Sequence, residues 1–201
     1  MYKGDLHIVS TGKQSTKRLV EIASQIHPYL DAFHIREKNC TASLLMDLIS
    51  QLEQKRMPRS KIIINDRVDA AYISKVKGVQ LTNHSISVKL VKNNFSPLQV
   101  GSSVHSLEEA KAAERGKADY LLFGHVFPTN SKAGLQAKGL KQLEEICKSV
   151  SIPVIAIGGV KPDNIRDVID SGASGAAVMS GVMDAPDPLR EVQAYCAKLA
   201  F

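Results

Sequence analysis

The sequence contains no tryptophan, and aromatic residues make up only 5% of it, so it offers no row of aromatic faces on which nucleic-acid bases could stack. Cysteine is scarce as well. Cys40, Cys147 and Cys196 are odd in number, far apart and without C-x-x-C spacing, which argues against a disulfide framework and against a zinc site. Each is expected to be a buried or half-buried thiol. No apolar run exceeds the length of a strand, and no charged-then-apolar leader follows Met1. Neither a membrane span nor a secretory signal is expected, and the protein is read as cytoplasmic. Gly/Ser/Pro-rich linkers and shifts in composition are missing too, which points to one domain over residues 1–201. The net charge of +6 is not gathered into one run. It shows mild clusters at Lys55-Arg56/Arg59/Lys61 and Lys75/Lys77, which suit attraction of a small anionic substrate better than nucleic acid.

What is present is a repeat of short β-rich runs and helix-periodic segments, as in βα units. Strands are expected at Asp5–Ser10, Ala32–Glu37, Lys61–Asp66, Gly78–Leu81, Gln99–Val104, Tyr120–Gly124, Pro153–Ile157 and Gly175–Met179. Between them lie amphipathic segments, such as Leu19, Ile22, Ala23, Ile26 and Leu30, or Leu44, Leu45, Leu48, Ile49 and Leu52. A capping box at Ser106-Leu107-Glu108-Glu109 marks one helix start, with Gly116 closing that helix. Pro162 is placed as a first helical residue. A last helix begins near Asp187. Eight units at roughly 25 residues each predict an α/β fold, a lean single-domain (β/α)8 TIM barrel close to the lower size limit. The competing topology is an open doubly wound sheet, which eight uninterrupted units disfavour.

The barrel expectation directs attention to the residues just after each strand, where such folds build their sites. Two strands end in small-residue turns, Gly158-Gly159 and Ser180-Gly181. Glycine lets backbone N–H groups approach an anion without a Cβ in the way, so a phosphate is expected against Gly158, Gly159, Met179 and Ser180. The alternative is that the glycines serve only tight βα turns. Elsewhere on the ring stand Arg36 and Lys38, Asn65-Asp66-Arg67, Ser102-Ser103-Val104-His105, His125, and Thr129-Asn130-Ser131-Lys132. Arg36 and Lys38 can point to one side of their strand end and hold an anion between them; the alternative is a surface salt bridge to Glu37. Histidine titrates near neutrality, so a His at a strand terminus is a natural proton carrier. His125 is the best placed, followed by the longest loop. His105 is the rival base, and His34 is read as structural.

Taken together, IREK, NDRVD, GSSVHSLEEA, ADYLLFGHVFPTNSK, IPVIAIGG and GAAVMSG resemble the thiamine-phosphate synthase superfamily along essentially the whole chain. The resemblance implies that Arg36, Lys38, Asn65, Thr129 and Ser131 hold a pyrimidine pyrophosphate, and that Gly158, Gly159 and Ser180 hold a thiazole phosphate. Ser103 and Lys132 join the substrate set by their places on the ring. Two departures bear on the activity. Synthases typically have GVHLGQED after strand four, whose last acid helps Asp66 bind magnesium. Here the stretch is GVQLTNHSI, with Ser85 at that position. Synthases usually have FGPVFPT where this chain has FGHVFPT, so His125 replaces a proline. Both departures point to the thiazole tautomerase branch: an isomerase acting on a small phosphorylated thiazole by His-mediated proton transfer, with no cofactor and no metal. The alternatives are a magnesium-dependent thiamine-phosphate synthase and a non-catalytic regulator that binds thiamine phosphate. No nucleic-acid or membrane partner is expected, and a homo-oligomer is left open.

Overall fold

The structure is a computed structural model that describes residues 4–129, 131 and 134–199. Eight parallel strands close into a barrel in chain order, with β8 pairing back onto β1. They are β1 (Asp5–Val9), β2 (Ala32–Ile35), β3 (Ile62–Asn65), β4 (Gly78–Leu81), β5 (Gln99–Val104), β6 (Tyr120–Gly124), β7 (Val154–Ile157) and β8 (Gly175–Val178). Most strands are predominantly apolar because both of their faces are covered, β5 (Gln-Val-Gly-Ser-Ser-Val) being the most polar. One set of side chains, including Val9, Ala32, Ile63, Leu122, Ile155 and Ala177, fills the inside of the barrel. The alternate set, including Leu6, Ile8, Phe33, Ile35, Ile62, Ile64, Val100, Leu121 and Phe123, packs outward against the helices.

The outer ring consists of α1 (Thr16–Ile26), α2 (Ala42–Gln54), α3 (Val68–Ile73), α4 (Val88–Asn94), α5 (Leu107–Arg115), α6 (Gly139–Ser149), α7 (Ile165–Asp170), α8 (Ser180–Met183) and α9 (Pro188–Leu199). Their starts are capped as the side chains dictate: Ser15, Thr41, Ser87 and Ser106 each accept from the backbone N–H three residues on. No helix among the described residues is long and apolar enough to cross a membrane.

Three local expectations need correction. Leu44 is 53% exposed, because α2 turns only Leu45, Leu48, Ile49 and Leu52 inward. The capping box is half made: Ser106 accepts from Glu109 N–H, but the Glu109 carboxylate reaches the N–H of His105, one residue before the cap. Gly116 does close α5, as its C-cap after Arg115, with a right-handed backbone, and the left-handed residue follows it at Lys117. Pro162 precedes the helix rather than opening it, since α7 starts at Ile165.

Candidate active site

The carboxyl ends of β7 and β8 form one side of the barrel mouth. Gly158 and Gly159 both have positive φ, 98° and 68°, a conformation that glycine adopts without a steric penalty. Their lack of a side chain has a second cause. A Cβ on Gly158 would overlap His125, and one on Gly159 would lie 2.5 Å from the Pro128 carbonyl oxygen. The glycines therefore admit the segment after β6 as well as any anion. Among the described residues, the backbone N–H groups of Gly159, Ser180 and Gly181 donate to no protein acceptor. Ser180 is exposed, and Met179 packs with Ile157 at the top of the barrel interior. The first loop braces this side: Gln14 donates to the Met183 carbonyl and to Asp184, and Lys13 pairs with Asp184.

Across the mouth, β2, β3 and β4 present side chains. Ser10 ties β1 to β2, accepting from Arg36 N–H at 2.8 Å and donating to Glu37 at 2.6 Å. Glu37 is thus engaged by Ser10, and among the described residues neither Arg36 nor Lys38 has an acidic partner within ion-pair distance. The alternative, a salt bridge to Glu37, is not formed, and both cations remain available to an anion. Asn65 closes β3 half-buried, and its amide makes no hydrogen bond among the described residues. Arg67 is drawn aside by a paired contact with Asp69. Asp66, at positive φ, accepts a hydrogen bond from Ser85, whose hydroxyl lies 3.2 Å from that of Thr82.

The two histidines expected to act as bases are both tied down. His105 Nδ1 lies 2.6 Å from the Gly124 carbonyl oxygen, and since a carbonyl only accepts, that nitrogen carries the proton. The ring links the ends of β5 and β6. His125 is 8% exposed, and its Nε2 donates to the Leu135 carbonyl at 3.3 Å. Its backbone carbonyl accepts from Lys138 N–H, so both bonds anchor the return of the loop. Thr129 accepts from Ser131 N–H in a local turn, and Lys132 lies outside the described residues.

Beneath the mouth is a polar layer of which sequence patterning marks only His34. His7 Nδ1 and His34 Nε2 are 3.0 Å apart, with Tyr120 set edge-on to both rings. Burial first, then the nearby Lys77 charge, pushes the His34 imidazole down to about 3. Burial, His34 and Lys77 lower His7 well below the usual histidine range. The pair is neutral near pH 7, and the structural reading of His34 fits its complete burial. The missed members include Gln80 and Tyr120, each a polar residue at an inward position of its strand. Inward parity among apolar neighbours was the signal that could have found them.

Fold and site together define a class: a (β/α)8 barrel whose mouth sets open backbone N–H groups against unpaired cations, an arrangement suited to phosphorylated small molecules. A family model described as thiamine monophosphate synthase matches residues 6–182, and the chain belongs to that family. It is 41% identical over 157 residues to the thiamine-phosphate synthase of Pyrococcus furiosus, covering 78% of this chain and 76% of the relative. It is 31% identical over 189 residues to the thiamine-phosphate synthase of Methanobrevibacter smithii, covering 91% and 89%. Among solved structures, a thiamine phosphate pyrophosphorylase from Pyrococcus furiosus superposes with a TM-score of 0.83 at 31% identity, over 97% of this chain and 95% of that one.

These findings correct the tautomerase expectation. Relatives spanning most of the chain are named as synthases, so thiamine biosynthesis stands and the isomerase reading does not. The expectation leaned on two positions, Ser85 and His125, and the His125 Nε2 is spent on a loop carbonyl.

Magnesium, which the resemblance attaches to the synthase branch, meets one carboxylate here. Among the described residues no group of three or more His, Cys, Asp or Glu side chains converges. Asp66 backed by the Ser85 hydroxyl nevertheless fits an ion that keeps several waters and takes further oxygens from a phosphate ligand, as magnesium commonly does.

Proposed function

We propose that the protein is a transferase that makes thiamine phosphate, joining a thiazole phosphate to a pyrimidine carried as its pyrophosphate ester. The observation that carries the reading is the 41% identity to a thiamine-phosphate synthase over a stretch of 157 residues. In this reaction the thiazole ring nitrogen forms a bond to the pyrimidine methylene carbon. The carbon–oxygen bond to pyrophosphate breaks, and pyrophosphate leaves with the electron pair. Bond making itself moves no proton, so neither His105 nor His125 has to act as a base.

The residues divide the work by chemistry. Arg36 and Lys38 attract the pyrophosphate and stabilise it as it departs, an electrostatic role that grows as charge develops. Asn65, Ser103, Thr129 and Ser131, with Lys132 of the same loop, orient the pyrimidine. Gly158, Gly159, Met179 and Ser180 frame the thiazole phosphate, which fixes the ring nitrogen across the mouth and makes the encounter effectively intramolecular. His105 and His125 hold the β5, β6 and loop backbones in place. Asp66, backed by the Ser85 hydroxyl, is the one carboxylate that would hold magnesium, together with oxygens of the bound pyrophosphate. When bound, magnesium supplies neutralisation of the leaving-group charge.

Incubation with the two substrates and Mg²⁺, followed by chromatography, tests the proposal. Thiamine phosphate and pyrophosphate should appear in equal amounts. A folded enzyme that forms neither overturns the reading.

A further inference from the structure

Gln80 sits on β4 one layer below the mouth and is 1% exposed. Its Nε2 donates to the Ser103 hydroxyl at 3.0 Å and approaches the Leu81 carbonyl at 3.4 Å. Its Oε1 and the Tyr120 hydroxyl are buried atoms with no hydrogen-bond partner among the described residues. Strand register explains why these two meet. Gln80 lies opposite Gly101 and Gly101 opposite Tyr120, and a Cβ at Gly101 would overlap both side chains.

An amide has one donating and one accepting end, and its neighbours decide which end points where. The Leu81 carbonyl can only accept, so the NH2 belongs on that side. Turned over, Oε1 would face a carbonyl oxygen. With the NH2 fixed there, Ser103 Oγ accepts from Gln80 and keeps its own proton. Ser103 is only half-buried and shares the inward parity of Gly101 at the mouth end of β5, so that proton has the barrel mouth to point into.

We propose that Gln80 is a positioning residue that makes the Ser103 hydroxyl a hydrogen-bond donor to the substrate, selecting an acceptor atom such as an aromatic ring nitrogen. The direction of the hydroxyl follows from the apo geometry, while the identity of the substrate rests on the transferase reading. Gln80→Glu reverses the polarity: a carboxylate only accepts, so Ser103 turns its proton inward and the ligand loses its donor.

Two measurements decide the proposal separately. Neutron diffraction of the ligand-free protein in D2O should place both Nε2 deuterons towards Leu81 and Ser103, with the Ser103 deuteron directed towards the barrel mouth. A Ser103 deuteron bonded to Gln80 overturns the inference. The second is a double-mutant cycle on thiamine phosphate formation. Gln80→Leu should lower kcat/KM by roughly 10-fold, mainly through KM, and should add nothing once Ser103→Ala is present. Independent, multiplying losses also overturn it. A wild-type enzyme inactive on both substrates sinks the transferase reading and leaves the neutron map to judge Gln80.

Discussion

On the β7–β8 side of the mouth the groups that can face a ligand are backbone N–H groups of Gly159, Ser180 and Gly181, whereas on the β2–β4 side they are the side chains of Arg36, Lys38, Asn65 and Asp66. A rim made of backbone cannot be changed without changing the fold, because the conformation that opens it also packs the neighbouring loop. A rim made of side chains can lose or gain a ligand group while the barrel stays as it is. Ser85, one of this chain's two departures from the family pattern, lies on the second side, whereas the other, His125, packs against Gly158 on the first.

The harshest way to break this comparison is to put a side chain into the backbone rim. Gly159→Val places a β-branched residue at φ 68° with its Cβ 2.5 Å from the Pro128 carbonyl oxygen. It should cost on the order of 3 kcal/mol of stability along with phosphate binding. Thermal unfolding with and without inorganic phosphate is the check. A variant that keeps its Tm and loses only the phosphate effect would show that the glycine serves the ligand alone.

Arg36→Ala makes the opposite cut. The side chain is half-buried, has no acidic partner among the described residues, and supports no neighbour by a side-chain hydrogen bond. Stability should hardly move, while KM for the pyrophosphate substrate rises about 10- to 100-fold, the worth of one charge-assisted hydrogen bond. An unchanged KM would remove Arg36 from the site.

The buried layer below both rims adds a pH dependence. His7 and His34 titrate lower in the folded protein than in the unfolded chain, where a histidine sits near 6.5. The unfolded state then binds more protons as the pH falls, so stability is fully present above about 6.5 and is lost progressively towards the His34 value of about 3. The slope should approach 1.4 kcal/mol per pH unit for each imidazole, an order-of-magnitude figure. Denaturant midpoints between pH 7 and pH 5 measure it, with His34→Gln as the flatter comparison. A flat wild-type profile would mean that the pair is not held neutral.

Ser85→Asp should be the mildest change. A second carboxylate beside Asp66 should let the free protein bind Mg²⁺ measurably by calorimetry, where the wild type binds it only with pyrophosphate. Equal magnesium affinity in both proteins, without pyrophosphate, would contradict a site completed by pyrophosphate oxygens.

The sequence made the barrel legible because most strands are compact apolar runs between polar ends, and β4, β5 and β6 match their expected bounds. Local chemistry was less legible. That Glu109 reaches past Ser106 to His105 depends on competition among neighbouring groups that spacing does not show. The candidate site residues can be read from their position at strand ends, yet which of them are engaged by neighbours cannot. Ser10 drawing Glu37 away from Arg36 is a contact across 27 residues of sequence, and Leu135 occupying His125 depends on how one loop folds back. Reading His125 as a free base therefore asked more of a single substitution than it could carry.

The most direct test of the two-sided mouth is a crystal structure of the protein with thiamine phosphate and pyrophosphate bound together. The account predicts the thiamine phosphate ester against the backbone of Gly159 and Ser180, and pyrophosphate between Arg36, Lys38 and Asp66. Pyrophosphate at the glycine rim, or an ester phosphate held by Arg36, would contradict it.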